Sequence, residues 1–269
     1  MKLFNRLFYK NRKFYDDDFD WNSYTEDSYE RRLHNSVETE YQAVAKTGEL
    51  SFDAQTGHVT SSTRQIHPNQ QLIYEAIGQL QPASVHEVGC GAGDHLANGM
   101  ALFQDVDFTG GDRGETQLEL AQHRHPELKN RIGLQDITMP FSHHWPKAEF
   151  VYSQTVLMHI HTAVSHFIGL ANMVRMAEKY VLLMENHQCH NFHQDIANLW
   201  NGGHFDWDSL YVYRFDGSTG ARAILLSKEP LDYPLLTSDA QMREGLKFSA
   251  RRIKRANEDS ARGIFGIPK

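Results

Sequence analysis

Residues 84–94 read SVHEVGCGAGD, and this stretch decides the fold. A short apolar run leads into glycines at alternate positions, Gly89, Gly91 and Gly93, and a helical pattern follows over 95–103. A glycine-rich turn between a strand and a helix lets a ligand come close to backbone N–H groups. The stretch therefore predicts a parallel α/β domain with a nucleotide-like cofactor at this turn.

Strand and helix patterns alternate outward from the turn over residues 66–229, which is typical of a parallel sheet covered by helices. Two further strands, Leu210–Phe215 and Arg222–Ser227, are joined through Gly217 and Gly220, a hairpin signal that makes at least one strand antiparallel. The other predicted elements are helices over Asn69–Leu80 and Thr162–Ala177 and strands over Ser84–Val88, Val106–Gly110, Ile132–Asp136, Phe150–Ser153 and Tyr180–Glu185.

These patterns predict an α/β fold class with a seven-stranded, mostly parallel sheet flanked by helices. The predicted domain occupies residues 66–229. It follows an N-terminal extension or cap over 1–65 and precedes a basic C-terminal tail over 230–269.

The composition excludes few classes of protein but narrows the choice. The chain has 269 residues, of which 40% are apolar and 23% charged, and its formal net charge is −7. A disordered chain, a collagen-like fibre and a highly basic nucleic-acid binder are disfavoured. Cys90 and Cys189 cannot form a disulfide framework, and no apolar run approaches the roughly 18 residues that cross a bilayer. We therefore expect a cytoplasmic protein.

Charge is distributed unevenly along the chain. Residues 1–13 carry five basic side chains and no acidic ones, whereas 41–240 carry 12 basic and 22 acidic side chains and 241–269 carry eight and three. An acidic body repels a phosphate backbone, so a nucleic-acid partner is not expected. Two roles stay open for the amphipathic basic segment 1–14: peripheral contact with an anionic membrane, or docking on its own domain or on a partner subunit.

The acidic residues around the glycine turn discriminate between cofactors. Asp94 stands where the dinucleotide fingerprint has its third glycine. A pyrophosphate is anionic, and the carboxylates of Glu87 and Asp94 on either side of the turn would repel it. A cofactor that carries an ammonium and a sulfonium group would be attracted instead.

Four features, in order along the chain, resemble the class I S-adenosylmethionine-dependent methyltransferases over about 66–229. They are the acidic residue and glycine-rich loop after the first strand, Gly-Gly-Asp after the second, Gln-Asp-Ile after the third, and residues 149–160 around the fourth. The resemblance implies the Rossmann-like methyltransferase fold and S-adenosyl-L-methionine as cofactor. It assigns to the cofactor Glu87, Gly89, Cys90, Gly91, Gly93, Asp112, Arg113, Asp136, Ile137, Ser153 and Gln154.

The resemblance also gives the two aspartates separate roles. Asp112 would accept from both ribose hydroxyls, which suits a carboxylate with two acceptor oxygens, and Asp136 would accept from the adenine amino group, with Ile137 beside the ring. Taken singly, each aspartate is equally well a turn residue or a helix cap. His86 replaces an aliphatic residue of the family and is expected to hydrogen-bond inside the fold, and Cys90 is expected to pack in the loop.

Methyl transfer is an in-line displacement that requires an aligned acceptor. An alcohol must also lose a proton as it attacks, so we expect a histidine near the transfer site to act as base. His159, about one helical turn beyond the fourth strand, is the best placed. His161 and His187 are alternative bases, and all three have structural or substrate-orienting roles as the other interpretation. These histidines favour oxygen over nitrogen as the methylated atom.

Residues 185–195 are dense in histidine, and the spacing of His187, His190 and His193 invites interpretation as a zinc site. On a helix, steps of three residues would spread these side chains apart rather than bring them together. The magnesium-binding pattern of some sugar methyltransferases is matched only at Glu185. We therefore predict no metal.

Acceptor specificity is expected to come from the additions to the core, residues 1–65 and Asn191–Ser209. A small polar acceptor, such as a glycan or a surface-polymer precursor, is the preferred substrate. Two other functions stay open: a non-catalytic binding or assembly subunit that keeps the fold, and a nicotinamide-dependent oxidoreductase. The sequence does not indicate an oligomeric state.

Overall fold

The structure is a computed structural model that describes residues 48–62, 66–161, 164–187 and 189–244. The predictions for segment 1–14 and for most of the basic tail lie outside these residues. The domain boundaries proposed above stay predictions.

The described elements alternate as the sequence pattern predicts. The strands are β1 (Leu50–Asp53), β2 (His58–Ser61), β3 (Ser84–Val88), β4 (Asp107–Asp112), β5 (Ile132–Leu134), β6 (Ala148–Gln154), β7 (Ala177–Met184), β8 (Tyr211–Asp216) and β9 (Arg222–Ser227). The α-helices are α1 (Pro68–Leu80), α2 (Asp94–Leu102), α3 (Glu115–Arg124), α4 (Ser165–Met176), α5 (Phe192–Asn201) and α6 (Ala240–Arg243). Short 3₁₀ turns occur at Pro126–Leu128 and Leu157–His159.

Seven strands form one sheet in the order β5-β4-β3-β6-β7-β9-β8. Neighbouring strands from β5 to β7 are parallel, and β9 runs antiparallel to both β7 and β8. This confirms the predicted fold class, a seven-stranded and mostly parallel sheet with the topology of the Rossmann-like methyltransferase fold. The predicted hairpin is the β8–β9 pair.

Two apolar cores lie on opposite faces of the sheet. Val85 and Phe150 belong to the core shared with α1, α2 and α3, whereas Val88 and Val151 belong to the core shared with α4 and α5. Residues of one strand therefore alternate between two buried faces, which explains why these strands read as continuous apolar runs. None of the helices in the described ranges combines the length and the hydropathy of a membrane-spanning segment.

The β1–β2 hairpin was not predicted from the sequence. Its strands are four residues long and largely polar, so they carry little periodic signal. Phe52 packs against α1, where a Cβ added at Gly78 would lie 2.4 Å from its ring. The described part of the N-terminal extension therefore packs on the core helix.

The chain order of the sheet places a switch point between β3 and β6, because β4 and β5 lie on one side of β3 and β6 on the other. In open α/β sheets, ligands bind at the carboxyl ends of the strands beside such a point. The predicted cofactor and base residues all follow the carboxyl ends of β3 to β7, so the fold gathers them at one edge.

Candidate active site

The glycine turn after β3 is held by the neighbouring strand. The backbone N–H groups of Gly89 and Cys90 both donate to the carbonyl oxygen of Gly111, at 2.7 and 3.0 Å. Gly89, Gly91 and Gly93 have φ angles of 73°, 51° and 78°, in the left-handed region that favours glycine. The three glycines therefore set the path of the loop.

The loop also packs against the segment that follows β6. A Cβ added at Gly89 would lie 2.3 Å from a methyl carbon of Val156, so only glycine allows this approach. Val156 directly precedes the 3₁₀ turn that carries His159. The contact therefore brings the predicted cofactor loop next to the predicted base.

Asp112 lies at the end of β4 and connects two backbone segments. One carboxylate oxygen accepts from the N–H of Gly91 at 2.9 Å, and the other accepts from the N–H of Gly114 at 2.8 Å. The side chain is buried, which raises the pKa of Asp112, although these hydrogen bonds oppose the shift. A carboxylate has about four acceptor positions, so Asp112 keeps two for a pair of hydroxyls.

Glu87, at the end of β3, is 1% exposed and faces α2. Its Oε1 lies 2.9 Å from Nδ1 of His95, and its Oε2 is buried without a hydrogen bond from the described residues. An uncompensated carboxylate oxygen is costly to bury. Glu87 thus presents a buried negative charge that suits a cationic group.

Asp94, which was predicted to repel a pyrophosphate, is paired with basic side chains of the protein. Its carboxylate accepts from Arg124 at 2.7 Å and lies 2.7 Å from Nε2 of His125. Burial opposes ionisation, but these two contacts hold the pKa of Asp94 below its ordinary value. Its charge is therefore balanced within the protein, and discrimination against an anionic cofactor rests on Glu87.

Asp136 and Ile137 follow β5, at the end of the row of parallel strands. Oδ1 of Asp136 accepts from the backbone N–H and the hydroxyl of Thr138, at 3.0 and 2.6 Å, so this oxygen organises a turn. Ile137 is buried in the core beneath α4. Arg113 follows Asp112, and its charge lowers the pKa of that carboxyl, against the larger effect of burial. The cofactor roles of these residues stay predictions.

His86 hydrogen-bonds inside the fold, as predicted. Its Nε2 lies 3.1 Å from Oε1 of Gln135, an acceptor, so this nitrogen carries the proton, and Nδ1 accepts from the hydroxyl of Thr109 at 2.9 Å. Burial lowers the pKa of His86 to about 4. Cys90 is buried too, and burial raises the pKa of its thiol, which agrees with a packing role.

Glu185 was considered above only as a partial match to a magnesium pattern. Its carboxylate accepts four hydrogen bonds: from the hydroxyl of Ser153 at 2.7 Å and from the N–H groups of Val156, Leu157 and Met158 at 3.1 to 3.2 Å. Glu185 therefore anchors the turn that carries His159. Ser153, predicted to contact the cofactor, donates its hydroxyl to Glu185.

The end of β6 is strained. Thr155 has a φ angle of 56°, which is unfavourable for a β-branched residue, and such strain is common at functional sites. Beside it, Oε1 of Gln154 is buried without a hydrogen bond from the described residues. Gln154 is therefore available to a ligand, and its predicted role in cofactor binding stays open.

His159 lies half-buried on the 3₁₀ turn, and burial lowers its pKa. A neutral imidazole at pH 7 is able to accept a proton. His161 follows two residues later, and its ring centroid lies 5.4 Å from that of His190. The structure therefore places two of the three predicted bases on the segment next to the cofactor loop.

His187 differs from these two histidines. It is buried against Phe192, with ring centroids 5.9 Å apart, and burial lowers its pKa to about 4. His187 and His190 both precede α5, which begins at Phe192, so these two histidines do not share a helix with His193. Across the described ranges, no group of three or more His, Cys, Asp or Glu residues is arranged to hold a metal ion.

Sequence reasoning missed a buried contact between α4 and α5. His166 stacks on His190, with centroids 4.2 Å apart, and its Nε2 lies 3.6 Å from Oδ2 of Asp195. Both His166 and Asp195 are 1% exposed. Tertiary packing brings His166 to the other two residues, because it comes from α4, whereas His190 and Asp195 lie just before α5 and at its start.

The segment Asn191–Ser209 was expected to shape the acceptor site. Trp207 is buried instead, and its indole N–H donates to the carbonyl oxygens of Val174 and Ala177 at 3.1 and 3.3 Å. Phe205 is buried in the same core. This part of the segment therefore anchors α5 to the domain.

Neither a protein-family model nor a curated protein matches this chain. Solved structures with a similar fold include magnesium protoporphyrin IX methyltransferase from Synechocystis with bound S-adenosylmethionine, at 16% identity and a TM-score of 0.47, covering 80% of this chain and 100% of that one. A TehB-like S-adenosylmethionine-dependent methyltransferase from Corynebacterium glutamicum has 14% identity and a TM-score of 0.47, and the match covers 77% of this chain and 99% of that one. DesVI from Streptomyces venezuelae has 15% identity and a TM-score of 0.38, and the match spans 56% of this chain and 58% of DesVI.

The strand order is that of the class I methyltransferase fold. The first two structures named above carry the word methyltransferase in their descriptions.

Proposed function

We propose that this protein is an S-adenosylmethionine-dependent methyltransferase that acts on a small polar acceptor. The observation that supports this function best is Asp112, a buried carboxylate beside the glycine loop that keeps two acceptor positions. Glu87 supplies a buried negative charge on the other side of the loop. When bound, S-adenosylmethionine supplies an activated methyl group. Glu87, Gly91 and Asp112 would hold the cofactor, and Asp136 would contact its adenine.

Oxygen is the favoured acceptor atom. His159 stands on a turn that Glu185 anchors and that packs against the cofactor loop through Val156. Its lowered pKa keeps the imidazole neutral at pH 7, so it is able to take the proton of an attacking hydroxyl. A glycan or surface-polymer precursor remains the proposed acceptor class, on the sequence considerations given above.

Cofactor binding is the first test. S-Adenosylmethionine and S-adenosylhomocysteine should each raise the thermal midpoint of unfolding, whereas NAD should not, because a ligand stabilises only a fold that binds it. Stabilisation by NAD alone would support the oxidoreductase and contradict the proposal. The balanced charge of Asp94 weakens the original objection to a dinucleotide, which makes this comparison necessary.

Activity is tested by incubating the protein with methyl-labelled S-adenosylmethionine and a metabolite extract, then isolating the labelled product. With that acceptor, His159→Ala should lower kcat by about 100-fold, the usual contribution of a general base. The exposed His144→Ala serves as control. A loss below about threefold in His159→Ala would remove His159 as the base, and transfer to no acceptor would favour the non-catalytic binding subunit.

A further inference from the structure

His95 lies in the first turn of α2, directly against Glu87. Its Nδ1 is 2.9 Å from Oε1 of Glu87, and the two side chains are 19% and 1% exposed. Because Oε2 of Glu87 has no hydrogen bond from the described residues, His95 is the nearest group that is able to balance this carboxylate. The pair is neutral when His95 is protonated and carries one negative charge when it is not.

Other ionisable groups surround this pair, and the charge of Asp94 adds to that of Glu87 in raising the pKa of His95. The hydroxyl of Tyr74 on α1 donates to the His95 carbonyl oxygen, and burial raises the pKa of Tyr74, as it does that of Tyr152 on β6 beside Glu87. Asp94 on α2 is paired with Arg124 and contacts His125 on α3. On β4, Asp112 is held by two backbone N–H groups.

Burial lowers the pKa of His95, but the charge and hydrogen bond of Glu87 outweigh it, so the pKa is raised above its ordinary value of 6.5. The contact with Glu87 therefore favours the imidazolium form of His95.

We propose that His95 is a positioning residue that controls the negative charge which Glu87 offers to the ammonium group of the cofactor. When the His95 imidazole is neutral, the Glu87 carboxylate is free to pair with the ammonium group of the cofactor. When His95 is protonated, its imidazolium competes with that ammonium group for the carboxylate. This inference rests on the proposed function. Binding of the cofactor and protonation of His95 then oppose each other, and by linkage each weakens the other by the same factor.

Raising the pH through the pKa of His95 removes the competing cation, so the protein should bind the cofactor more tightly as pH rises. If the bound ammonium lowers the pKa of His95 by about one unit, affinity changes about tenfold across the titration.

The test measures the Kd of S-adenosylhomocysteine, which keeps the ammonium group and lacks the sulfonium, by calorimetry between about pH 5.5 and 8.5, a range that brackets histidine titration. His95→Gln keeps a hydrogen-bond donor for Glu87 but does not titrate, and the exposed His123→Gln on α3 is the matched control. The Kd of the wild type divided by that of His95→Gln should fall about tenfold as pH rises, since titration of Asp112 and of the ligand cancels in the ratio. His123→Gln should follow the wild type.

A second measurement needs no variant with altered binding. The pKa of the His95 imidazole, followed by NMR in the wild type, should fall by about one unit when S-adenosylhomocysteine saturates the protein. An unchanged pKa, or a Kd ratio that does not depend on pH, would overturn the role of His95 while the methyltransferase proposal stands. Failure of the wild type to bind either S-adenosyl compound at any pH would overturn both.

Discussion

Asp112 and Glu185 are both buried carboxylates at the carboxyl ends of parallel strands in the same sheet, yet their hydrogen bonding differs. Asp112 accepts two backbone N–H groups, one on each oxygen. Glu185 accepts three backbone N–H groups and one hydroxyl. Of about four acceptor positions on a carboxylate, the protein supplies four donors to Glu185, three on Oε1 and one on Oε2, but only two to Asp112.

The difference separates a carboxylate with room for a ligand from one that the protein itself holds. Burial raises the pKa of both groups, so the direction of the pKa shift does not distinguish them. The number of donors does, because two protein donors leave more capacity for a ligand than four. The glutamate that resembled part of a metal site in the sequence is therefore the anchor of the His159 turn.

The largest effect is expected for Asp112→Ala. Loss of two charge-assisted hydrogen bonds to ribose hydroxyls, at about 1.5 kcal/mol or more each, should raise the Kd of S-adenosylhomocysteine on the order of 100-fold. Calorimetry measures the Kd, and circular dichroism checks that the variant is folded. Asp107→Ala, at the exposed other end of β4, is the matched control and should leave the Kd unchanged. A similar Kd in both variants would show that Asp112 only organises the loop.

For Glu185→Gln we expect a loss of stability with little change in cofactor binding, the reverse of Asp112→Ala. An amide offers one acceptor oxygen in place of two, so buried N–H groups lose their partner, and the free energy of unfolding should fall by about 2 kcal/mol. The cofactor Kd should change less than about threefold, because the proposed role of this side chain is to hold the His159 turn through four protein donors. Glu149→Gln, an ion-paired residue at the start of β6, is the control in denaturant unfolding. A large change in Kd with unchanged stability would reverse the assignment of the two carboxylates.

The smallest effect is expected in the pH dependence of the difference in unfolding free energy between the wild type and Glu185→Gln. Because burial raises the pKa of Glu185 in the folded state, the folded wild type binds protons that the unfolded chain releases, so its stability rises as pH falls toward the unfolded pKa of about 4.5. Glutamine does not titrate. The stability advantage of the wild type over Glu185→Gln should therefore widen by about 1.4 kcal/mol for each unit of pKa shift as pH is lowered from 7. A narrowing would show that the hydrogen bonds outweigh burial and that the pKa of Glu185 is lowered.

The sheet was readable from the sequence because its signals are local. The strands Ser84–Val88 and Arg222–Ser227 occur with the predicted bounds, since glycine turns and apolar runs mark their ends. The predicted bounds of β7, Tyr180–Glu185, are wrong: the strand begins at Ala177, which was predicted to end the preceding helix, because Ala177 pairs with Ala148 on β6. A pairing between distant strands leaves no mark in the local pattern.

The candidate site was readable in part. The sequence shows that the loop glycines and Asp112 lie at the ends of predicted parallel strands, and the carboxyl ends of such strands meet at one edge of the sheet. The partners that give the acidic residues their roles were not readable: Arg124 lies 30 residues from Asp94, and Glu185 lies 27 residues from Met158. Which carboxylates are balanced and which are available depends on contacts between separate elements.

The sequence alone determined the order of the elements, the glycine turn and the acidic residue at the end of each of the first three sheet strands, because backbone propensities and apolar periodicity are local properties. Tertiary structure decided how each charge is used: Asp94 is balanced by Arg124, Glu185 is held by Ser153 and the His159 turn, and Glu87 contacts His95. The physical reason is that the cost of a buried charge depends on the donors and cations around it, and folding brings those groups from distant parts of the chain.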